Sequence, residues 1–121
     1  MYSNNLICEI IKYIDINLNT KITINDLENV FFYNRYYIMK LFKKEMNITI
    51  FDYINSLRIY NSMKEIKENN HSLTTVFISN GFYSLEYFSE MFKKITGVFS
   101  KDVLPDDFIY QPASIAVNKA G

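Results

Sequence analysis

Arg35, Lys40, Lys43 and Lys44 place four cations on ten residues, and no acid intervenes before Glu45. Guanidinium and ammonium groups donate to guanine O6 and N7, and helix-terminal N–H groups suit phosphate. Tyr36, in the same stretch, adds an apolar ring for a thymine methyl and a hydroxyl. The plainer reading of this run is a solvated, charged helix face. Other chemistries fail on residue counts. Cys8 is the only cysteine, so an intramolecular disulfide and a cysteine zinc cluster are both excluded. His71 is the only histidine, which leaves no His–His or His–Cys metal constellation and almost no room for a Ser-His-Asp relay. With no nucleophile–base pair and no paired metal ligands, neither an enzyme activity nor a cofactor is expected. Cys8 reads as a reduced, partly buried apolar residue, and His71 as a surface residue just before a helix cap at Ser72.

The chain that must position the cations has 121 residues, enough for one compact domain or two very small ones. Hydrophobic residues make up 49% and twenty residues are Phe or Tyr, ample for a packed core. Three Gly and two Pro permit long helices. No apolar run reaches the ~18 residues needed to span a bilayer, and residues 1–5 carry no basic start of a signal peptide. The expected location is therefore the cytoplasm, with no membrane partner.

Apolar periodicity predicts an all-α chain. Leu6, Ile7, Ile10, Ile11, Ile14 and Leu18 mark one face of a first helix, with Ser3 or Asn4 as its cap. Thr23 and Asp26 open a second, carrying Ile24, Leu27, Val30 and Phe31. Asn34 caps a third, from Arg35 to about Glu45, with Tyr37, Ile38, Leu41 and Phe42 facing inward. The short joint between the second and third helices has helix-turn-helix spacing. A long helix over 49–67 carries Phe51, Tyr53, Ile54, Leu57, Ile59, Met63 and Ile66, and Glu68-Asn69-Asn70-His71 breaks it. Ser72 begins a helix through Leu73, Val76 and Phe77 that ends at Gly81. Ser84 caps the next, with Tyr87, Phe88, Met91 and Phe92 inside and Gly97 closing it. Residues 105–121, with Pro105 and Pro112, read as a flexible tail. Met46, Met63 and Met91 read as core filler.

The chain repeats itself. A shift of 50 residues lays Phe32-Tyr33-Asn34 on Phe82-Tyr83-Ser84, Tyr37 on Tyr87, and Phe42-Lys43-Lys44 on Phe92-Lys93-Lys94. Upstream of the turn a shift of 49 fits better, pairing Thr23 with Ser72 and Leu27 with Val76, so the second turn is one residue longer. Two helix-turn-helix units, about 4–46 and 70–103 within a domain spanning 1–104, are thus joined by one linker helix. A helix over 49–67 spans ~28 Å, close to the ~34 Å between successive major-groove faces on one side of B-DNA. One chain could therefore read an asymmetric site as a monomer.

These residues resemble the DNA-binding domain of AraC/XylS-type bacterial transcription regulators. The resemblance covers about Leu6 to Val103 and rests on Gly81-Phe82, Tyr87-Phe88-Ser89, Phe92-Lys93-Lys94 and Thr96-Gly97 with Ser100. Residues 37–44 match the family's first recognition helix, and Leu57-Arg58 matches a Leu-Arg pair in its linker. The resemblance implies about seven helices, sequence-specific binding to double-stranded DNA, and RNA polymerase as a possible partner. It places Arg35, Tyr36, Met39 and Lys40, and in the second unit Leu85, Glu86, Ser89 and Glu90, against bases. It places Asn34, Lys43, Lys44, Ser84, Lys93 and Lys94 against phosphates or at the caps that face them.

The chain departs from the family in its second unit. Glu90 stands where a basic residue is common and Glu86 lies one turn before it, and a carboxylate near phosphates costs affinity. Either this helix has drifted, or Glu90 accepts from cytosine N4. The four cations of the first unit are expected to be uncompensated, while Glu86 and Glu90 offset Lys93 and Lys94. Glu28 and Phe77 replace a small Ala at the helix crossings, Phe32 replaces the turn Gly that Gly81 keeps, and Ser100 stands where Pro is common. A bulky residue at a crossing should push the helices apart or turn outward. Thirteen basic and thirteen acidic residues give zero net charge, unusual for a DNA-binding domain. That balance leaves open a rival reading: a protein-interaction module on the same fold with weakened DNA binding.

Overall fold

Caps and apolar faces settle the six helices that a computed structural model describes within residues 5–69 and 73–97. They are α1 (Asn5–Asn17), α2 (Ile24–Phe31), α3 (Arg35–Met46), α4 (Ile50–Asn69), α5 (Leu73–Ser79) and α6 (Leu85–Thr96). The expected caps at Ser3 or Asn4 and at Ser72, His71, Ser100 and the tail lie outside the described residues. Among those residues there is no strand, and no helix is long and apolar enough to cross a membrane.

The short helices start where their caps say. Thr23 Oγ1 accepts from the Asp26 N–H at 3.1 Å, and Asp26 Oδ2 accepts from the Thr23 N–H at 2.8 Å. The short Asp side chain therefore completes a reciprocal capping box. Asn34 and Ser84 cap α3 and α6, which end on left-handed residues, Asn47 at φ 59° and Gly97 at φ 79°. The internal repeat thus extends to both ends of these helices.

The two turns differ as the one-residue offset demands. Phe32 closes α2 in the left-handed region at φ 59°, and Gly81 takes that role after α5 at φ 84°. Only one residue separates Phe32 from its following cap, whereas Phe82 and Tyr83 separate Gly81 from Ser84. Phe32 consequently points into solvent, 88% exposed, while Phe82 is buried at 3%. Although the letters Phe32-Tyr33 match Phe82-Tyr83, neither residue of the first pair shares the burial of Phe82, and Tyr33 stays 47% exposed. Tyr33 stacks on Tyr37 at 5.2 Å, as Phe82 lies 6.1 Å from Tyr87. Tyr37 and Tyr87 line the rim and are exposed, contrary to the inward placement the periodicity suggests.

Two apolar cores form, and α4 serves both. Its N-terminal half gives Ile50 and Ile54 to a core with Ile7, Ile10, Ile14, Leu27, Ile38, Phe42 and Met46. Its C-terminal half gives Ile59 and Met63 to a second core with Phe82, Phe88, Met91 and Phe92. Phe77 turns inward there, 6.1 Å from the Phe88 ring, so its bulk is absorbed as packing. The α4 helix also runs through Glu68 and Asn69, two residues past the expected break. Neither residue removes a backbone donor, so nothing local stops the helix there.

Polar groups in the middle of α4 fasten the halves together. Arg58 is buried at 9% exposure. Its Nε donates to the Leu18 carbonyl at 2.9 Å and its Nη2 to the Thr20 carbonyl at 2.6 Å, beyond the end of α1. Burial pulls its guanidinium below the usual range, yet Arg remains charged there. Gly81 packs on the same spot from the other unit. A Cβ on Gly81 would sit 2.8 Å from the Leu18 carbonyl oxygen and 3.0 Å from Arg58 Nε. Nearby, Asn55 Nδ2 donates to the Tyr87 hydroxyl at 2.9 Å. One turn of the second unit therefore rests directly on a loop of the first.

Candidate nucleic-acid interface

The α3 helix buries Ile38, Phe42 and Met46 and turns its other face to solvent. On that face Tyr36 is 75% exposed, and Met39, Lys40, Lys43 and Lys44 are exposed as well. Asn34 Oδ1 accepts from the Tyr36 N–H at 2.8 Å, so the cap expected to meet phosphate is engaged with its own helix. Lys40, Lys43 and Lys44 enter no ion pair among the described residues. The last two also sit favourably at the negative end of the helix dipole. The arrangement offers one ring, one thioether and three free ammonium groups on a firmly packed support.

Arg35 corrects the expectation of four uncompensated cations. Its Nη2 donates to Glu28 Oε1 at 2.9 Å and to Asn25 Oδ1. Its backbone N–H donates to Glu28 Oε2 at 2.7 Å. The Arg35 side chain, and then its backbone N–H, hold the Glu28 carboxyl below its ordinary range, while that carboxylate raises Arg35. The bulky Glu28 has thus turned outward from the helix crossing and found a charge seven residues on.

The second unit presents a different surface. The α6 helix buries Phe88, Met91 and Phe92 and exposes Leu85, Glu86 and Glu90, with Ser89 half-buried. Ser84 Oγ accepts from the Tyr87 N–H at 3.2 Å and donates to Glu86 Oε2 at 2.9 Å. The Glu86 carboxyl is lowered first by its own backbone N–H and then by Ser84. Glu86 is therefore a local cap, and its carboxylate occupies the end of the helix that would otherwise suit a phosphate. It does not neutralise the lysines as expected. Lys94 pairs with Asp52 of α4 at 3.5 Å, and Lys93 Nζ donates to the Gly97 carbonyl at 3.0 Å. Glu90 is exposed and in no ion pair among the described residues.

A family model described as a helix-turn-helix domain matches residues 27–103. The chain belongs to the AraC-type helix-turn-helix family. Among relatives of this AraC-type domain is the bifunctional transcriptional activator/DNA repair enzyme AdaA of Bacillus subtilis (strain 168). It is 32% identical over 88 residues, covering 73% of this chain and 42% of that protein. The HTH-type transcriptional activator AarP of Providencia stuartii is 24% identical over 97 residues, covering 80% of this chain and 72% of that protein. The chain thus spans less than half the length of the first relative. The DNA-binding domain of AdpA, solved in complex with a target DNA, shares the AraC-type fold. Its TM-score is 0.71 at 13% identity, with 93% of this chain and 90% of that chain covered.

Site residues that spacing did not reveal are Glu28 and Asn25, which hold Arg35, and Arg58 and Asn55, which carry the second unit. Asn55, Arg58 and Ser62 stand three and four residues apart among apolar neighbours. That polar stripe on a helix buried from two sides is a readable signal for the central fastening. Nothing comparable in the sequence links Glu28 to Arg35.

Proposed function

We propose that this chain binds double-stranded DNA in a sequence-specific manner and regulates transcription, with the first helix-turn-helix unit as the principal grip. The observation that carries this is the outer face of α3, where Tyr36, Met39, Lys40, Lys43 and Lys44 lie exposed and the three lysines enter no ion pair among the described residues. Lys40 and Tyr36 suit base edges, Met39 suits a thymine methyl, and Lys43 and Lys44 suit phosphates. The second unit adds Leu85, Ser89 and Glu90 as base contacts and Lys93 and Lys94 as weaker phosphate contacts. Family membership and the DNA-bound relative of the same fold support the reading. Selection of bound duplexes from random DNA at two salt concentrations tests it. An asymmetric site should be enriched, and its affinity should fall as salt rises. Failure to enrich any sequence, with salt-independent retention, would overturn it in favour of a protein-interaction role.

A further inference from the structure

A guanidinium reads guanine with two parallel bonds, to O6 and N7. It has two edges suited to this. One pairs Nε–H with Nη2–H, and the other pairs Nη1–H with Nη2–H. Both edges need a proton of Nη2, which has two. In this chain Arg35 Nη2 donates to Glu28 Oε1 at 2.9 Å and also to Asn25 Oδ1. Each edge has therefore lost one of its two prongs. Arg35 keeps the Nε proton and the two Nη1 protons, which lie on different edges and are enough for a phosphate oxygen or a lone base acceptor but not for the guanine fork.

The hold on Arg35 is built from more than one bond. Asn25 and Glu28 lie three residues apart on α2, one turn of the helix, and both meet the first residue of α3. The same carboxylate that binds the guanidinium also takes the Arg35 backbone N–H at 2.7 Å. Glu28 is thus fixed through both oxygens, and Arg35 through main chain and side chain. Among the described residues the second unit shows no such device: Leu85 opens α6, and Phe77 stands at the crossing where Glu28 stands in the first.

We propose that Glu28 is a specificity-determining residue that withholds Arg35 from guanine, leaving base readout in the first unit to Tyr36, Met39 and Lys40. This rests on the reading of the chain as a DNA-binding regulator. Arg35 is then a positioning residue that fixes the N-terminus of the recognition helix. The base preference of the first unit depends on a residue of the preceding helix that need not touch DNA. Substituting Glu28 frees the fork and adds a guanine to the recognised site.

The test is duplex selection with the full chain and with Glu28→Ala, Arg35→Ala and the double variant, each checked for helicity by circular dichroism. Arg35→Ala should keep the unaltered chain's base preference. Glu28→Ala should gain a guanine preference at one base pair, on the order of tenfold, and the double variant should lose that gain. Should Glu28→Ala fail to fold, Glu28→Gln keeps an oxygen for the Arg35 N–H while removing the charge, and a smaller shift toward guanine is expected. In the free protein, the Arg35 guanidinium should give slowly rotating side-chain N–H resonances that are lost in Glu28→Ala. The proposal is overturned if Arg35→Ala alone erases a guanine preference, or if a folded Glu28→Ala selects the unaltered site. Failure of the unaltered chain to select any sequence would overturn the DNA-binding reading as well, whereas the two preceding outcomes overturn this proposal alone.

Discussion

Lys43 and Lys44 stand in the last turn of α3 with no ion pair among the described residues, whereas Lys94 is held by Asp52. If the α3 lysines meet phosphates, neutralising either by Ala should weaken all sequences alike. It should also flatten the slope of log affinity against log salt by ~0.9. Titrating an unrelated duplex beside the selected site checks this, since a loss confined to one sequence with an unchanged slope contradicts it. Lys94→Ala should change the slope less, because its charge is already shared with Asp52. Glu28 brings a pH dependence of known sign. Its folded carboxyl lies below the ordinary 4.5 because Arg35 favours the charged form. The stability it adds is therefore complete above that ordinary value and fades as pH falls through the folded one. Residue types made the cations and their face legible in the sequence. The partner of Arg35 was not legible, because the pairing depends on how α2 crosses α3.

At the scale of elements, the caps were the most readable feature. Thr23, Asn34, Ser84, Asn47 and Gly97 all stand where a short polar side chain or a left-handed residue is required. Tyr37 keeps the spacing of an inner residue yet lies exposed on the rim, because helical spacing alone cannot tell a rim position from a core one. Phe32 breaks the rule its counterpart Gly81 obeys. A side chain at φ 59° costs ~1–2 kcal/mol in the left-handed region, and Phe32 recovers little of that by packing because it is exposed. Phe32→Gly relieves this strain but adds freedom to the unfolded chain worth ~0.5–1 kcal/mol. A net stabilisation of ~0.5–1 kcal/mol is expected by denaturant unfolding; a loss would mean that the ring packs in the folded state. The other elemental asymmetry lies in α6. Glu90 is exposed, so Glu90→Arg should fold normally, raise general DNA affinity and steepen the salt slope. If discrimination at one C·G pair is lost at the same time, Glu90 reads cytosine. If footprinting shows the second half-site more strongly protected than the first in the unaltered chain, the first unit is not the main grip.

For the whole molecule, the spacing of two units about one helix was legible from the repeat. The polar stripe of Asn55, Arg58 and Ser62 marks where the units are locked together, but not the partners that lock them. A repeat reports what each unit shares, and the junction is made of what they do not share: Arg58, the Leu18 and Thr20 carbonyls, and the close approach of Gly81. Backbone carbonyls carry no sequence signature. Removing the Arg58 guanidinium leaves both carbonyls without their charged donor, a change worth ~1.5–3 kcal/mol per bond. Arg58→Ala should therefore lower the unfolding free energy markedly. Arg58→Lys, a point charge without the fork, should recover only part of it. If the two units are held in register here, both variants should also broaden the half-site spacing found by duplex selection. Unchanged stability in Arg58→Ala would show that the junction is held by apolar packing instead.

The sharing of α4 between two cores has a consequence for how the protein opens. Neither half can melt alone without uncovering part of a helix that the other half still needs. The amide protons around Asn55, Arg58, Ile59 and Ser62 are therefore reached by solvent only when both cores are lost, and should be the last to exchange with deuterium. Those of α2 and α5, each packed against one unit, can exchange through smaller openings. The linker is in this sense the thermodynamic centre of the protein, and a ligand that tightens either unit slows exchange at a place it never touches.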